Sequence, residues 1–402
     1  MSHRRVFGRF FLTAMSQGAV SLAQPQPMSS APGQVEARFG QGVTLRSGDG
    51  RFELNLRGRI QTRFTLTAAD AQPDGPGTEF AIRRMRLVFQ GHALSRAVQY
   101  YIQLGLSNRD TESDLRLPVR DAYVTLTRVR DLQLRVGQMK VPFDRQRVVS
   151  SSALQFPDRA MVTSELNLDR DVGVQLFSRD LFGLGHRLGY QLGVFGGDGR
   201  NRTSQASGLL YVARLELTPM GAFDDYVEAD LSRSPRLRLS LGVGVAYNLN
   251  TNRAQSTHGA TYTLGRFDVR SVELDLHLKW RGLSVISSFI DRRADAAAVS
   301  RTVEGALQRE YARNMQGWFV QSGLMLWRGL ELVARYGQLA PVVLDPATVD
   351  PSQRARRELG AGLNYYFEGH ALKVQADYFI YAGARWAEAQ EHQARVQLQL
   401  FY

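Results

Sequence analysis

The sequence predicts an all-β protein, a transmembrane antiparallel β-barrel of about 16 strands with short periplasmic turns and long external loops. Three observations support this fold class. Apolar residues occupy alternate positions in one segment after another, which is the period of a β-strand. Beyond the N-terminus, charges interrupt every apolar stretch before it reaches the roughly 20 residues of a membrane-spanning helix. The chain also contains 37 glycines, a residue common in turns, and 20 phenylalanines, a strand former.

The chain begins with a predicted signal peptide, residues 1–23. The stretch "MSHRRVFGRF" is basic, "FFLTAMSQGAV" is mostly apolar, and "SLA" places small residues before "QPQP". This layout predicts secretion, with cleavage after Ala23. Residues 24–50 contain Pro, Ser and Gly and are predicted to be a periplasmic linker with at most short structure. Residues 51–402 are predicted to form the barrel, in the outer membrane of a Gram-negative bacterium.

The first predicted strand is "FELNLRGRIQTRFTL", Phe52–Leu66. Its even positions are mostly apolar, whereas its odd positions carry three arginines. At roughly 3.3 Å per residue this strand reaches about 50 Å, well beyond an ordinary globular strand. An edge strand of a soluble sandwich would show the same alternation, so the repetition of the pattern along the chain has to decide between the two.

The pattern does repeat, and the count reaches sixteen strands. The following segments are, in order, "IRRMRLVFQG", "VQYYIQLGL", "DAYVTLT", "LQLRVGQMK", "DVGVQLF", "LGYQLGVFG", "LLYVARLEL", "LRLSLGVGVAYNL", "VELDLHLKW", "LSVISSF", "WFVQSGLMLW", "LELVARYG", "LGAGLNYYF", "LKVQADYFIY" and "ARVQLQLFY". Their connections alternate between mostly short ("RVRD", "RG", "EGH") and mostly long and polar ("AADAQPDGPGT", "GGDGRNRTSQAS"), as in outer-membrane barrels. The join from about 218 to 235 is too long for this scheme, so a miscounted strand could lie there.

Aromatic residues gather where strands end, as in the interfacial girdle of a barrel. Examples are Trp280, Trp327 and Tyr365. The chain closes on an alternating strand that ends at Tyr402. Such a strand allows the barrel to close without a free edge, and it resembles the signal that outer-membrane assembly machinery reads.

Composition narrows the function classes. The chain has no cysteine, which excludes disulfides and thiolate metal sites. Its net charge of +12 comes almost entirely from arginine, because Lys140, Lys279 and Lys373 are its only lysines. Secretion makes nucleic acid an unexpected partner. Anionic lipid, including lipopolysaccharide, and small anionic solutes are the expected partners, and no cofactor is expected.

Several motifs resemble the phosphate-selective porin O and P family. They are "RVGQMKVPFDRQ" (135–146), "RDVGVQLF" (170–177), "GVFGGDGRN" (193–201), "YVARLEL" (211–217), "GWFVQSGLML" (317–326) and "LELVARYGQL" (330–339). The resemblance runs over about residues 50–402 in the family's order. It implies a sixteen-stranded, homotrimeric outer-membrane porin whose third external loop folds into the lumen. Here that loop is the segment of about 141–169, between the fifth and sixth predicted strands.

The interior of a sixteen-stranded barrel is expected to be a water channel rather than a packed core. The polar parity of each strand then faces the lumen, where rings of Arg or Lys favour anions. Guanidinium also binds phosphate through two parallel hydrogen bonds. The predicted pore-lining and anion-binding residues are Arg57, Arg59, Arg63, Arg84, Arg86, Arg135, Lys140, Arg145, Arg147, Arg159 and Arg335. Alternatively, these cations pair with Glu53, Asp121 and loop carboxylates as a solvated wall. The departure from the family pattern is the near absence of lysine, since phosphate-selective members have a lysine-rich lumen.

A barrel enzyme or an adhesin is the alternative function. Glu273, Asp275, His277 and Lys279 share one predicted face, and an acid–His pair two residues apart could act as a general base. No serine nucleophile elbow accompanies them, so a charge network of the lumen wall is the simpler interpretation. The histidines lack H-x-x-x-H spacing, which argues against a zinc site. An adhesin would need larger external domains than these loops offer. The prediction is therefore a passive porin for small, preferably anionic solutes, with phosphate or polyphosphate as candidates, rather than an enzyme.

Overall fold

The computed structural model describes residues 32–69, 75–110, 117–203, 208–342, 353–387 and 390–402. The predicted signal peptide 1–23 and the start of the predicted linker lie outside these ranges. Within them, no helix is long and apolar enough to cross a membrane.

The described residues form twenty strands and two short α-helices. The strands are β1 (Gln34–Arg38), β2 (Gly42–Arg46), β3 (Phe52–Ala69), β4 (Gly77–Ala93), β5 (Ser95–Gly105), β6 (Val119–Leu126), β7 (Gln133–Lys140), β8 (Arg170–Ser178), β9 (Leu188–Phe195), β10 (Leu210–Leu217), β11 (Arg238–Thr251), β12 (Phe267–Trp280), β13 (Leu283–Ala294), β14 (Ala298–Val303), β15 (Ala306–Tyr311), β16 (Met315–Trp327), β17 (Leu330–Pro341), β18 (Arg356–Glu368), β19 (Leu372–Ala382) and β20 (Glu391–Phe401). The α-helices are α1 (Arg145–Val148) and α2 (Met161–Leu166).

Sixteen of these strands, β3–β13 and β16–β20, close into one barrel. Each is antiparallel to its neighbour in the chain order of the barrel, and the last strand pairs with the first from Glu391↔Ala69 to Phe401↔Arg59. Closure leaves no unpaired edge in the wall, which is what lets a β-sheet span a membrane. The predicted sixteen-stranded antiparallel barrel is therefore confirmed.

Two hairpins lie outside the barrel wall. Strands β1 and β2 fall within the predicted linker 24–50, and β2 continues the sheet by pairing with the start of β3, from Val43↔Leu56 to Arg46↔Glu53. Among the described strands, β14 and β15 pair only with each other. The two ends of the barrel differ. We call the end with tight turns, such as Arg281–Gly282, the turn end, and the opposite end the loop end. In outer-membrane barrels the short turns face the periplasm.

The alternation predicted for the first strand is present in the wall. On β3, Leu56 and Leu66 are exposed on the outer face, whereas Arg59, Gln61 and Arg63 are buried on the inner face. The outer face can meet lipid because its backbone groups are already paired along the sheet.

The segment 141–169, which we call the loop insert, enters the barrel from the loop end. Its Ser151 hydroxyl accepts a hydrogen bond from Arg59 of β3 at 2.9 Å, and its Leu154 carbonyl accepts one from Lys373 of β19 at 2.7 Å. On the far side, Gln155 donates to Glu331 of β17 at 2.5 Å. Because β3 and β17 lie on different parts of the wall, the insert lies inside the barrel.

A second segment enters from the turn end. Residues 218–237, which we call the turn insert, form no strand, so the long join noted in the sequence hides no miscounted strand. Its Glu228 accepts hydrogen bonds from the backbone N–H of Gln155 at 2.7 Å and from the Gln146 side chain at 3.0 Å. The two inserts therefore meet inside the lumen and hold each other in place.

Part of the lumen is a packed apolar core, contrary to the expectation of a water channel throughout. Val141, Phe143, Val162 and Leu166 of the loop insert pack against inner-face residues of the wall. The wall residues in this cluster are Met139, Phe195, Leu210, Val212, Ala246, Ile286, Ile290, Met315, Phe319 and Leu339. The physical reason is that an inserted segment needs apolar partners, so several strands here are apolar on both faces.

Candidate functional site

Three adjoining cavities run along the inner side of the wall formed by β3–β9, and residues of the loop insert line two of them. The outer cavity has a volume of about 540 Å³ and reaches His258 and Thr261 at the loop end. The inner cavity, of about 760 Å³, reaches Arg46 and Arg96 at the turn end. A smaller middle cavity, of about 280 Å³, lies between them. It shares Arg86, Lys140 and Arg170 with the outer cavity, and Tyr101, Tyr123 and Arg135 with the inner one. We call this succession the conduit.

The outer cavity is strongly cationic. Its acidic lining residues are Asp110 and Asp169. Its cationic lining residues are Arg83, Arg84, Arg86, Arg109, Arg120, Lys140, Arg147, Arg159, Arg170, Arg200 and Arg253. A concave surface of one sign with low-dielectric walls raises the local concentration of counter-ions. The arrangement is therefore suited to attract anions.

Strand irregularities concentrate this charge. The pairing of β3 with β4 shifts between Gln61↔Arg84 and Thr62↔Ile82, so Arg83 is an extra residue and faces inward beside Arg84. The pairing of β5 with β6 shifts in the same way between Gln103↔Asp121 and Leu104↔Val119. That bulge places Arg120 beside Asp121 on the inner side. A β-bulge re-aims a side chain that simple alternation would send outward.

Ion pairs offset some of the cations but not all. Arg86 pairs with Asp110 at 2.6 Å, and Arg170 with Asp121 at 3.0 Å. In contrast, Lys140 donates to the backbone carbonyls of Val148 and Val149, at 2.6 and 3.1 Å. Arg159 likewise donates to carbonyls of the loop insert, including that of Gln146 at 2.8 Å. Carbonyls carry no net charge, so neither Lys140 nor Arg159 is neutralised by the groups to which it donates.

The predicted site residues divide into two groups. Six line the conduit, namely Arg84, Arg86, Arg135, Lys140, Arg147 and Arg159. The other five do not line these three cavities. Three of them hold the loop insert. Arg59 donates to the Ser151 hydroxyl and Arg63 to the Asp158 carboxylate. Arg335 donates to the backbone carbonyl of Asp158. Arg145 belongs to the insert itself.

The remaining two arginines of that second group have their own partners. Arg145 pairs with Asp275 of β12 and with Asp225 of the turn insert. Arg57 lies nearer the turn end, where it donates to Gln90 at 2.5 Å and lies over the ring of Phe401. These contacts are structural, joining the wall, the inserts and the C-terminal strand.

Asp158 is the acidic centre of the contact between the loop insert and the first strands. Its carboxylate pairs with Arg63 at 2.5 Å, with Arg84 at 3.2 Å, with Arg83 at 3.3 Å and with Arg395 at 3.2 Å. Burial alone would raise the pKa of this carboxyl. The guanidinium groups, Arg63 foremost, outweigh burial and hold the pKa of Asp158 well below its ordinary value.

Several lining residues were absent from the sequence prediction. Arg120 was missed because its strand bulges, and Arg170 because it begins its strand beside Asp171. Arg200 and Arg253 lie in loop-end connections, where alternation carries no information. For Arg120, the signal available in the sequence was "PVRDAYV", in which an Arg–Asp pair stands at the start of a strand.

The acid–His group of β12 is built into the wall. Glu273 and Asp275 pair with Arg214 at 2.9 and 2.5 Å. The ring nitrogens of His277 lie 3.0 and 3.3 Å from the carbonyls of Asp225 and Glu228. His277 is 1% exposed, so it offers no accessible general base. Among the described residues, no group of three His, Cys, Asp or Glu side chains could hold a metal ion.

Comparison with known proteins also indicates an outer-membrane porin. The model of the family "Phosphate-selective porin O and P" matches residues 54–264. No curated protein sequence matches the chain. Among solved structures, the chain is similar to the outer-membrane channel DcaP of Acinetobacter baumannii, at 12% identity and a TM-score of 0.56, covering 87% of this chain and 97% of that one.

Two further structures share the fold. Salmonella typhi OmpF, in complex with daunomycin, has 16% identity and a TM-score of 0.55, over 88% of this chain and 98% of that one. The trimer form of Vibrio cholerae OmpT has 12% identity and a TM-score of 0.52, over 87% and 99%. At these identities the likeness concerns the fold alone. Because the family model covers more than half of the sequence and the barrel is that of outer-membrane porins, the chain belongs to the phosphate-selective porin O and P family and forms an outer-membrane channel for small solutes.

Proposed function

We propose that this porin is a passive channel that prefers small anions, phosphate among them, and is not an enzyme. The observation that carries the proposal is the outer cavity, whose lining includes, among the described residues, eleven cationic side chains and two carboxylates. Asp121 and Asp158 pair with three of these cations from beyond the lining. Lumenal Arg and Lys are the groups by which pores favour anions. Cations on successive cavities also give the several weak sites that conduction needs, because an ion must be able to leave each site.

Phosphate fits the chemistry of the outer cavity. Guanidinium presents paired donors that match two oxygens of a phosphate, and the cavity holds several guanidinium groups within one small volume. Lys140 and Arg159 add charge that no described carboxylate neutralises by a direct ion pair. Any small oxyanion meets the same donors, so the proposed preference is for small oxyanions as a class.

The setting follows from the barrel. We propose that the signal peptide, residues 1–23, directs secretion and is cleaved after Ala23. Residues 24–50 then form a periplasmic linker and residues 51–402 the barrel. Assembly machinery inserts the barrel by reading the strand that ends at Tyr402. The wall is surrounded by outer-membrane lipid and lipopolysaccharide. The trimer form of the similar OmpT supports a homotrimer.

The test is the reversal potential of the purified protein in a planar bilayer across a KCl gradient. The wild type should give the sign of a channel that prefers chloride over potassium. The double variant Lys140→Gln, Arg159→Gln should shift the reversal potential toward zero, because it removes two cationic groups that have no carboxylate partner among the described residues. A cation-selective wild type would refute the proposal.

A matched control is available on the external hairpin β14–β15. Arg301 and Arg309 are exposed there, so the double variant Arg301→Gln, Arg309→Gln removes the same charge away from the conduit. It should leave the reversal potential close to that of the wild type. An equal shift in both double variants would mean that net charge, rather than the cavity, sets the preference.

A further inference from the structure

Aromatic rings line the middle cavity at its junction with the inner one. Tyr101 and Tyr123 face each other across β5 and β6 in direct register, with ring centroids 5.2 Å apart and planes 12° from parallel. Both rings line the middle and inner cavities, and both remain partly exposed. Tyr226 of the turn insert adds a third ring to the middle cavity. A solute that passes between these cavities therefore meets ring surfaces.

Cations lie directly against these rings. The guanidinium of Arg135 lies 4.5 Å from the ring centroid of Tyr123 and 4.9 Å from that of Phe177. The guanidinium of Arg179 lies 5.3 Å from the ring centroid of Tyr226. Arg135 makes its hydrogen bonds with the neutral side chains of Thr125 and Gln175, at 3.2 and 3.3 Å. Its positive charge is thus not cancelled by an acidic partner within the described residues.

A glycine lets β7 approach Tyr123 closely. Gly137 of β7 lies opposite Tyr123 and has a φ of +130°, a backbone conformation that residues with a side chain rarely adopt. A Cβ atom at this glycine would lie 2.2 Å from the Ala122 carbonyl oxygen and 2.8 Å from the Cα of Tyr123. No other residue fits there without displacing the tyrosine. The arrangement of ring and cation therefore depends on a specific local geometry.

We propose that Tyr101, Tyr123 and Arg135 form a subsite for anions that carry a flat ring, with aromatic monocarboxylates as the solute class. The ring of the solute packs against the exposed part of the tyrosine pair, and its carboxylate contacts Arg135. This inference rests on the proposed anion preference and adds a second criterion to it. An inorganic oxyanion engages the cations but gains nothing from the rings, whereas an aromatic carboxylate engages both.

The size of the expected effect follows from the contact between aromatic rings. An aromatic pair contributes enough to change affinity by a few-fold to about tenfold. Benzoate should therefore reduce the chloride current at a concentration about fivefold or more below that of acetate, which has the same charge but no ring. Cyclohexanecarboxylate matches the size of benzoate without its flat ring, and it should behave more like acetate.

The experiment uses the full barrel in planar bilayers, with the three carboxylates added to a KCl background. The double variant Tyr101→Leu, Tyr123→Leu should lose the advantage of benzoate over acetate. Tyr211→Leu is the matched control, because Tyr211 lies on the outer face of β10, 45% exposed, away from the conduit. Equal block by benzoate and acetate in the wild type would overturn the inference.

The outcomes separate this inference from the proposed function. A wild-type channel without chloride preference removes the proposed function, whatever benzoate does. A channel that prefers chloride and does not distinguish benzoate from cyclohexanecarboxylate refutes the aromatic subsite alone. If the double leucine variant does not assemble, the three-carboxylate series on the wild type still decides the question.

Discussion

The attachment of the loop insert to the barrel wall can be tested at one residue, by the change Asp158→Asn. The Asp158 carboxylate pairs with four guanidinium groups, on β3, β4 and β20, at distances of 2.5 to 3.3 Å. An amide of the same shape keeps some of the hydrogen bonds but removes the charge. The change leaves four cations facing one another across the insert.

The expected magnitude follows from burial. Breaking a buried ion pair by removing one partner costs about 3–5 kcal/mol. The Asp158 side chain keeps 27% of its surface exposed, and solvent screens its interactions, so we expect a smaller loss of about 2 kcal/mol. The loss should be local, because the apolar cluster and the contacts of Gln155 with Glu331 and Glu228 still hold the insert.

Hydrogen exchange of backbone amides measures this directly. If exchange occurs through local opening, a loss of about 2 kcal/mol makes residues 150–160 exchange about 30-fold faster. Amides of the barrel strands should exchange as before. In bilayers, the added positive charge of the lumen should also increase the preference for chloride over potassium.

Glu304→Gln is the control, since it removes a carboxylate from the exposed turn between β14 and β15. It should change neither the exchange of residues 150–160 nor the reversal potential. If Asp158→Asn left the exchange of these residues at the wild-type rate, the four ion pairs would not be what holds this part of the insert.

Three further predictions concern pH, core packing and strand pairing. The pKa of Asp158 is lower in the folded protein, so the stability that its ion pairs contribute is present above the ordinary Asp pKa of about 3.9 and is lost only as the pH falls through the lower folded pKa. Residues 150–160 should therefore stay protected from hydrogen exchange at about pH 4. Loss of their protection well above that pH would contradict the ion-pair account. Phe319 is fully buried in the lumenal cluster, so Phe319→Ala should lower the free energy of unfolding by about 3–5 kcal/mol in urea titrations in lipid vesicles. Leu324→Ala, on the outer face of the same strand, should lower the free energy of unfolding by less, because lipid fills the gap. Equal losses in the two variants would argue against a lumenal core. Gly91→Ala would place a Cβ atom 1.8 Å from the Glu53 carbonyl oxygen, so strained pairing of β3 with β4 should lower the free energy of unfolding by about 1–3 kcal/mol. A melting temperature equal to that of the wild type would count against the close approach of these strands.

Much of the barrel was determined by the sequence alone. Alternation with a period of two fixes which face of a strand is apolar, so the outward side of Leu56 and the inward side of Arg59 followed from Phe52–Leu66 without coordinates. The repetition of that pattern, with short and long connections in turn, gave sixteen strands. These features are local, since each strand carries its own pattern and needs no distant partner to reveal it.

The tertiary structure alone decided how the lumen is divided. No local pattern shows that residues 218–237 enter the barrel to meet Gln155, or that apolar inner faces around Phe319 form a core with the loop insert. Bulges also hide Arg83 and Arg120 from any argument by parity, because one extra residue reverses the face on which a side chain lies. Whether an arginine lines the conduit or holds the insert depends on which carboxylate or carbonyl lies within reach across the lumen. That distance is set by segments far apart in the chain, so only the folded barrel determines it.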